Sequence, residues 1–225
     1  MLNYHIDPAI LVPLVPPGTE LDACNGQHFV SMVGFRFTNT RVNGWAIPFH
    51  INFDEVNLRF YIRRKAPEGW RRAVAFVKEI VPRWAIATIA RRLYNENYVA
   101  LPMRSTVELP HDNVAGQAVY RWKLGTQWHE LGATFAGEPK PLVVDSEEAF
   151  ITEHYWGYVT QRDQSVVEYE VKHPAWRVWQ ATTSWFQCDA GQLYGQAFVE
   201  ALSQKPASAF VAEGSAISVS KAMKC

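Results

Sequence analysis

Two charged residues interrupt an otherwise apolar strand pattern in the first half of the chain. Lys78 and Glu79 stand within Trp70–Val81, where most neighbours are apolar. A buried lysine loses its charge readily and becomes a nucleophile, whereas a buried glutamate keeps its proton and can act as an acid. We therefore take both as candidate catalytic residues. The alternative is that Lys78 extends to water and Glu79 pairs with an arginine such as Arg59 or Arg83.

The preceding strand pattern, Phe53–Arg63, has one apolar and one polar face, because side chains alternate across a strand. Glu55, Asn57 and Arg59 share the polar face. An arginine can hold a carboxylate by two parallel hydrogen bonds. If this face lines a cavity, Glu55 and Arg59 are ligand-binding residues; the alternative is a solvated surface.

The densest cluster of functional side chains lies at 153–158, which reads EHYWGY. Histidine exchanges protons near neutral pH, and a glutamate can orient it. Alternation places Glu153 and Tyr155 on one side and His154 on the other. All three are candidate ligand-binding residues, and the alternative is an aromatic seam that holds a hydrogen-bonded His154.

His173 is a further ligand-binding candidate, because it ends a strand pattern just before Pro174. Strand ends around the mouth of a cavity are suitable positions for binding groups. The alternative is a corner in which Trp176 packs and His173 satisfies a backbone carbonyl.

Composition argues against several classes of partner. The chain has 22 basic and 22 acidic residues, so it lacks the charge excess that nucleic acids or anionic membranes attract. No run approaches the ~20 apolar residues that span a bilayer, and the first residues do not resemble a secretion signal. The three cysteines are widely spaced. We expect a cytoplasmic protein with reduced thiols and a small-molecule ligand.

Familiar cofactor and metal motifs are missing from the sequence. There is no glycine-rich phosphate loop, no G-x-S-x-G elbow and no H-E-x-x-H pair, and the seven histidines are dispersed. We therefore expect no cofactor and no metal.

The patterns predict one α+β domain over residues 1–225, mostly antiparallel sheet with about three helices. Helices are expected after Asp7-Pro8, at Trp84–Tyr94 and at Gln192–Ser203. Strands are expected at Gln27–Phe37, Phe53–Arg63, Trp70–Val81, around a hairpin turn at Gly125-Thr126, at Val167–Lys172, and at Ala209–Val219.

Six segments follow one another in a specific order and spacing: Leu2–Asp22, Phe53–Arg63, Ala90–Met103, Glu153–Tyr158, His173–Trp176 and Glu213–Ser218. This order resembles the YqjF-like domain-of-unknown-function family, and the likeness covers nearly the whole chain. This family has no established biochemical activity. It is similar in fold to acetoacetate decarboxylase, which implies a cone-like or barrel-like sheet around an internal cavity.

The resemblance also shows what this chain lacks. The decarboxylase forms a Schiff base through one of two adjacent lysines, the second of which lowers the pKa of the first. Tyr98 and Val99 stand at the matching positions, and neither can form an imine. The resemblance therefore implies the cavity and not the reaction, with Tyr98 as a ligand-binding candidate.

Three functional hypotheses remain open on the sequence. The first is a small-molecule enzyme in which Lys78 replaces the nucleophile and Arg59 clamps a carboxylate. The second is a non-catalytic module that binds a small apolar molecule. The third is a structural protein that forms homo-oligomers. Convergence of Lys78, Glu79 and Arg59 on one volume would favour the first hypothesis.

Overall fold

Alternating apolar and polar residues build one large sheet. The computed structural model describes residues 1–42, 45–46, 52–82 and 97–225, with backbone pairing alone at 41–42 and 45–46. The helix predicted at Trp84–Tyr94 lies outside these residues. Within them, no helix combines the length and the apolar character needed to cross a membrane.

Most of the described chain is strand, with four short helices. The helices are α1 (Pro8–Leu11), α2 (Glu147–Thr152), α3 (Ala190–Tyr194) and α4 (Val199–Ser203), and 3-10 turns span Val12–Leu14 and Gln196–Phe198. The strands are β1 (Leu2–His5), β2 (Glu20–Leu21), β3 (Phe29–Phe37), β4 (Arg41–Val42), β5 (Trp45–Ala46), β6 (Phe53–Ala66), β7 (Gly69–Val81), β8 (Tyr98–Ala100), β9 (Met103–Glu108), β10 (Gly116–Leu124), β11 (Gln127–Phe135), β12 (Trp156–Thr160), β13 (Val166–Lys172), β14 (Val178–Gln187), β15 (Ser208–Ala212), β16 (Ser218–Val219) and β17 (Met223–Lys224).

The strands follow the order β16-β13-β12-β7-β6-β3-β1-β15-β14-β11-β10-β9 across the main sheet. Strand β2 adds to β6, β8 adds to β7 and β17 adds to β13, whereas β4 and β5 pair with each other. Neighbours are antiparallel except that β7 runs parallel to β8 and β12. This confirms the predicted class, an α+β fold dominated by antiparallel sheet.

A glycine lets the two halves of the sheet approach each other closely. Gly34 on β3 lies under the ring of Tyr120 on β10, and a Cβ at Gly34 would sit 2.5 Å from Tyr120 Cδ2. Tyr120 and Trp122 belong to the same core cluster as Val56, Leu58 and Phe60 of β6. The main core therefore lies between these two halves.

We expect Gly34→Ala to lower the free energy of unfolding by about 2 kcal/mol, because the Tyr120 ring must move out of a filled core. Urea unfolding measures this directly. Gly18→Ala provides a contrast in which the added methyl meets no atom within 4 Å, so its cost would come from its positive φ alone. A Gly34→Ala protein as stable as wild type would mean that the ring has room to move.

A bulge interrupts β7 where it pairs with β6. Leu58 pairs with Lys78, but the next β6 residue pairs with Phe76, which leaves Val77 as an extra residue. The extra residue reverses the alternation. Consequently Ala73 and Ala75 share the core face with Lys78, and not with Glu79 as simple alternation predicts.

The chain after β14 differs from the prediction. The expected helix Gln192–Ser203 is broken into α3 and α4 at Gly195, whose φ of 101° ends the first segment. The expected strand Ala209–Val219 stops at β15, and β16 pairs with β13 at the far side of the sheet. Helix α2 was not predicted. The Gly125-Thr126 hairpin is confirmed, with β10 and β11 paired on either side.

Candidate functional site

Two buried glutamates meet a tyrosine on one face of three adjoining strands. Asn57 on β6 lies directly opposite Glu79 on β7, and Glu79 lies beside Tyr98 on β8. Glu55 lies two residues before Asn57 on the same strand and therefore shares its face. We call Glu55, Asn57, Glu79 and Tyr98 the carboxylate cluster.

The cluster is hydrogen-bonded, and all of its members are buried except Tyr98, which is half-buried. Glu55 and Glu79 are each 2% exposed, and Asn57 is 1% exposed. Asn57 Nδ2 donates to Glu55 Oε1 at 3.0 Å, and the Tyr98 hydroxyl donates to Glu55 Oε2 at 3.4 Å. Both oxygens of Glu55 thus accept hydrogen bonds. The predicted polar face of β6 is therefore an interior surface here.

This arrangement suits proton transfer. Two carboxyl groups on one face of neighbouring strands can divide the roles of acid and base between them. The Tyr98 hydroxyl is a donor that can turn towards a developing oxyanion. Burying acids is costly unless they are paired or used, so a cluster of this kind is a strong candidate for function.

Lys78 does not join the carboxylate cluster. It lies on the core face of β7, opposite Leu58, and its ammonium donates to the carbonyl oxygen of Leu193 near the end of α3. Burial lowers its pKa below 10.5. Lys78 and Glu79 point to opposite faces, as the sequence predicts, and so cannot share one site.

Arg59 also lies away from the cluster. Its Nη2 donates to the carbonyl oxygen of Ile151 at 3.1 Å, in the last turn of α2. This is a helix-capping contact, which satisfies a carbonyl that the helix leaves open. Arg59, Lys78 and Glu79 therefore do not converge on one volume, because Arg59 is bound to α2 and Lys78 lies on the opposite face of β7 from Glu79.

His154 forms a separate group with Asp22 and Arg72, in which His154 and Asp22 are buried. Its Nε2 lies 3.5 Å from Asp22 Oδ2, and Arg72 Nε donates to the same oxygen at 2.9 Å. The rings of Tyr61 and Phe150 pack on the imidazole at 4.7 and 5.0 Å between centroids. Burial lowers the His154 pKa to about 4, although its contact with Asp22 opposes this. The imidazole is therefore neutral at pH 7.

Glu153, Tyr155 and His173 meet at a third place. The Tyr155 hydroxyl donates to Glu153, and the His173 ring stacks between Tyr155 at 4.8 Å and Trp176 at 4.0 Å. His173 Nδ1 lies 2.9 Å from the Pro174 carbonyl oxygen and so donates to it. These contacts match the corner that the sequence offered as an alternative.

A chain of polar side chains crosses four neighbouring strands beneath α2. The Tyr61 hydroxyl donates to Ser31 Oγ, which donates to Asn3 Oδ1, both at 2.6 Å. Asn3 Nδ2 donates to Ser208 Oγ at 2.8 Å, and Ser208 donates to Glu147. All four hydrogen bonds point the same way, towards the carboxylate of α2. We call this series the polar ladder.

A cleft of about 260 Å³ opens beside the start of α2, away from the carboxylate cluster. The loop at 136–143 and the first residues of β14 form its walls. None of the sequence-predicted site residues lines it.

Comparison with known proteins places the chain in a family. The model of family DUF2071, described as "Uncharacterized conserved protein", matches residues 1–216. The chain belongs to this family. The uncharacterized protein YqjF of Bacillus subtilis (strain 168) is 30% identical to this DUF2071 chain over 185 residues, which are 77% of the chain and 69% of YqjF.

Solved structures show that the DUF2071 chain has an acetoacetate decarboxylase-like fold. The enduracididine biosynthesis enzyme MppR complexed with pyruvate is 13% identical, with a TM-score of 0.60 over 97% of this chain and 80% of MppR. Acetoacetate decarboxylase from Legionella pneumophila is 13% identical, with a TM-score of 0.55 over 86% of this chain and 74% of the enzyme. An acetoacetate decarboxylase-like enzyme from Sphingomonas wittichii RW1 is 12% identical, with a TM-score of 0.59 over 100% of this chain and 88% of the other.

Proposed function

We propose that this DUF2071 chain binds a small carbonyl compound at the carboxylate cluster and catalyses proton transfer there without an imine. The observation that carries the proposal is that buried Glu55 accepts a hydrogen bond from the Tyr98 hydroxyl, while buried Glu79 lies beside Tyr98 on the neighbouring strand. By resemblance, Tyr98 stands where the decarboxylase has a reactive lysine. The chemistry available at this position is therefore that of a carboxylate and a phenol.

The two glutamates have different roles in this proposal. Glu55 already accepts two hydrogen bonds and positions the Tyr98 hydroxyl. Glu79 takes a proton from the carbon next to the carbonyl, so that the C–H bond breaks and an O–H bond forms on the carboxyl group. The electron pair moves to the carbonyl oxygen, to which Tyr98 donates a hydrogen bond. Return of a proton to carbon regenerates the carboxylate.

Deuterium exchange into pyruvate and acetone, followed by proton NMR in D₂O, tests the proposal. Both probes carry a methyl group beside a carbonyl, but only pyruvate carries a carboxylate. We expect the protein to accelerate loss of the methyl signal, and Glu79→Gln to reduce this acceleration about 100-fold, a typical effect of removing a general base. Exchange of pyruvate alone would mean that the site recognises a carboxylate.

Matched variants separate the site from general effects. Tyr98→Phe should also slow exchange, whereas Glu200→Gln, an exposed acid on α4, should leave the rate unchanged. Borohydride reduction in the presence of pyruvate should leave Lys78 unmodified. Failure of the protein to accelerate exchange of either probe, or a reduced adduct on Lys78, would contradict the proposal.

A further inference from the structure

Strand β9 is the last strand of the main sheet, and within the described chain it pairs with β10 alone. It lies in a segment with a proline at each end, Pro102 and Pro110. Its outer end is apolar and exposed, since Val107 is 44% exposed and Leu109 is 62% exposed. An edge strand of this length presents open backbone groups that another strand can use.

The hydrogen bonds to β10 show which backbone groups face the open edge. Lys123 N donates to Pro102 O at 2.9 Å, in the same register that pairs Arg104 with Arg121 and Thr106 with Val119. Hydrogen-bonded positions alternate along an antiparallel pair. The backbone groups of Arg104, Thr106 and Glu108 therefore point to β10, and those of the intervening residues point outwards.

Two opposite charges on this strand have no ion-pair partner among the described residues. Arg104 packs over the Trp128 ring at 4.7 Å and faces a like charge, Arg121, across the strand pair. Glu108 accepts a hydrogen bond from the neutral side chain of Gln117 at 2.6 Å. The charges lie four residues apart and so share one face.

We propose that β9 pairs with β9 of a second copy of this chain, antiparallel and centred on Thr106. The outward-facing backbone groups then meet each other, as an antiparallel ladder requires. Arg104 lies opposite the partner's Glu108, and Glu108 lies opposite the partner's Arg104. Met103 meets the partner's Leu109, so that an apolar pair closes each end before the prolines.

The charges select this register over its neighbours. A shift by two residues would place Arg104 opposite Thr106 or Pro110 of the other copy and leave both charges unpaired. In the proposed register, Arg104 and Glu108 occupy non-hydrogen-bonded positions, where opposing side chains are closest. The same contact occurs twice about the two-fold axis, which is the self-complementarity that a symmetric dimer needs.

Charge reversal with analytical ultracentrifugation tests the interface. Wild type should dimerise, and Arg104→Glu or Glu108→Arg alone should raise the dissociation constant at least tenfold, because like charges then face each other at both places. The double variant, Arg104→Glu with Glu108→Arg, should restore the dimer. Melting temperatures close to wild type would show that the variants are folded.

A cross-link tests the centre of the interface independently. In a Cys225→Ser background, which removes the exposed thiol, Thr106→Cys should form a covalent dimer with diamide, because the two thiols meet at the axis. Val107→Cys, which faces the partner's Ser105, should cross-link far more slowly. A monomer at every concentration, equal dissociation constants in the single reversals, or equal cross-linking at both positions would overturn the proposal.

Discussion

Replacing Glu168 with alanine is expected to lower the free energy of unfolding by about 3 kcal/mol. Glu168 is 7% exposed, and its two carboxylate oxygens bind Arg64 at 3.0 Å and Arg71 at 2.9 Å. These arginines lie directly opposite each other on β6 and β7. Without the carboxylate, two like charges face each other across the hairpin, which destabilises a strand pair.

Urea unfolding at pH 7 measures the effect, and an exposed pair provides the control. Arg177 binds Glu213 at 2.9 Å at a more solvent-exposed position, with the arginine side chain 54% exposed. Glu213→Ala should therefore cost roughly 0–1 kcal/mol. Equal losses in the two variants would show that Glu168 acts no differently from a surface charge.

Acid should destabilise the protein through His154, by about 3 kcal/mol between pH 7 and pH 4. Burial lowers the His154 pKa from 6.5 to about 4 in the folded chain. Below pH 6.5 the unfolded chain therefore binds a proton at His154, whereas the folded chain does not bind it until the pH approaches 4. The contribution of His154 to the free energy of unfolding is fully present above pH 6.5 and is lost as the pH drops towards 4.

The matched variant for this prediction is His154→Gln, compared with wild type at pH 7.0 and 4.5 by urea unfolding. Removing the imidazole should abolish most of the change in the free energy of unfolding between these two pH values. Asp22 affects the stability at a lower pH than His154 does. Burial opposes its ionisation, but hydrogen bonds from His154 and Arg72 outweigh burial and hold its pKa below 3.8. An unchanged slope in His154→Gln would mean that the imidazole takes up a proton without leaving its pocket.

Alternation predicted the strands well, because a two-sided pattern is local information. Strands β3, β6 and β7 lie close to the predicted ranges. The bulge at Val77 was not predictable, since one extra residue in an apolar run leaves no mark on composition. Helix α2 was missed for a similar reason: six residues are too few to establish a helical period.

The candidate site was only partly predictable. Glu55, Glu79 and Tyr98 were each singled out, but their meeting depends on the parallel pairing of β7 with β8, which links residues 19 positions apart. Asn57 carried a detectable signal, as a polar residue between Glu55 and Arg59. Asp22 carried none, because its importance comes only from His154 and Arg72, which are distant in sequence.

The polar ladder makes assembly of the middle of the sheet depend on residues far apart along the chain. Asn3 and Ser208 are separated by 205 positions, and Ser31 joins them to Tyr61. The loop-closure entropy for such a contact is lost before its hydrogen bonds form, so contacts of this kind slow folding. If the hydrogen bonds of the ladder form after the rate-limiting step of folding, removal of the Ser31 hydroxyl will mainly accelerate unfolding. The ladder would then set the lifetime of the folded protein more than the speed at which it is reached.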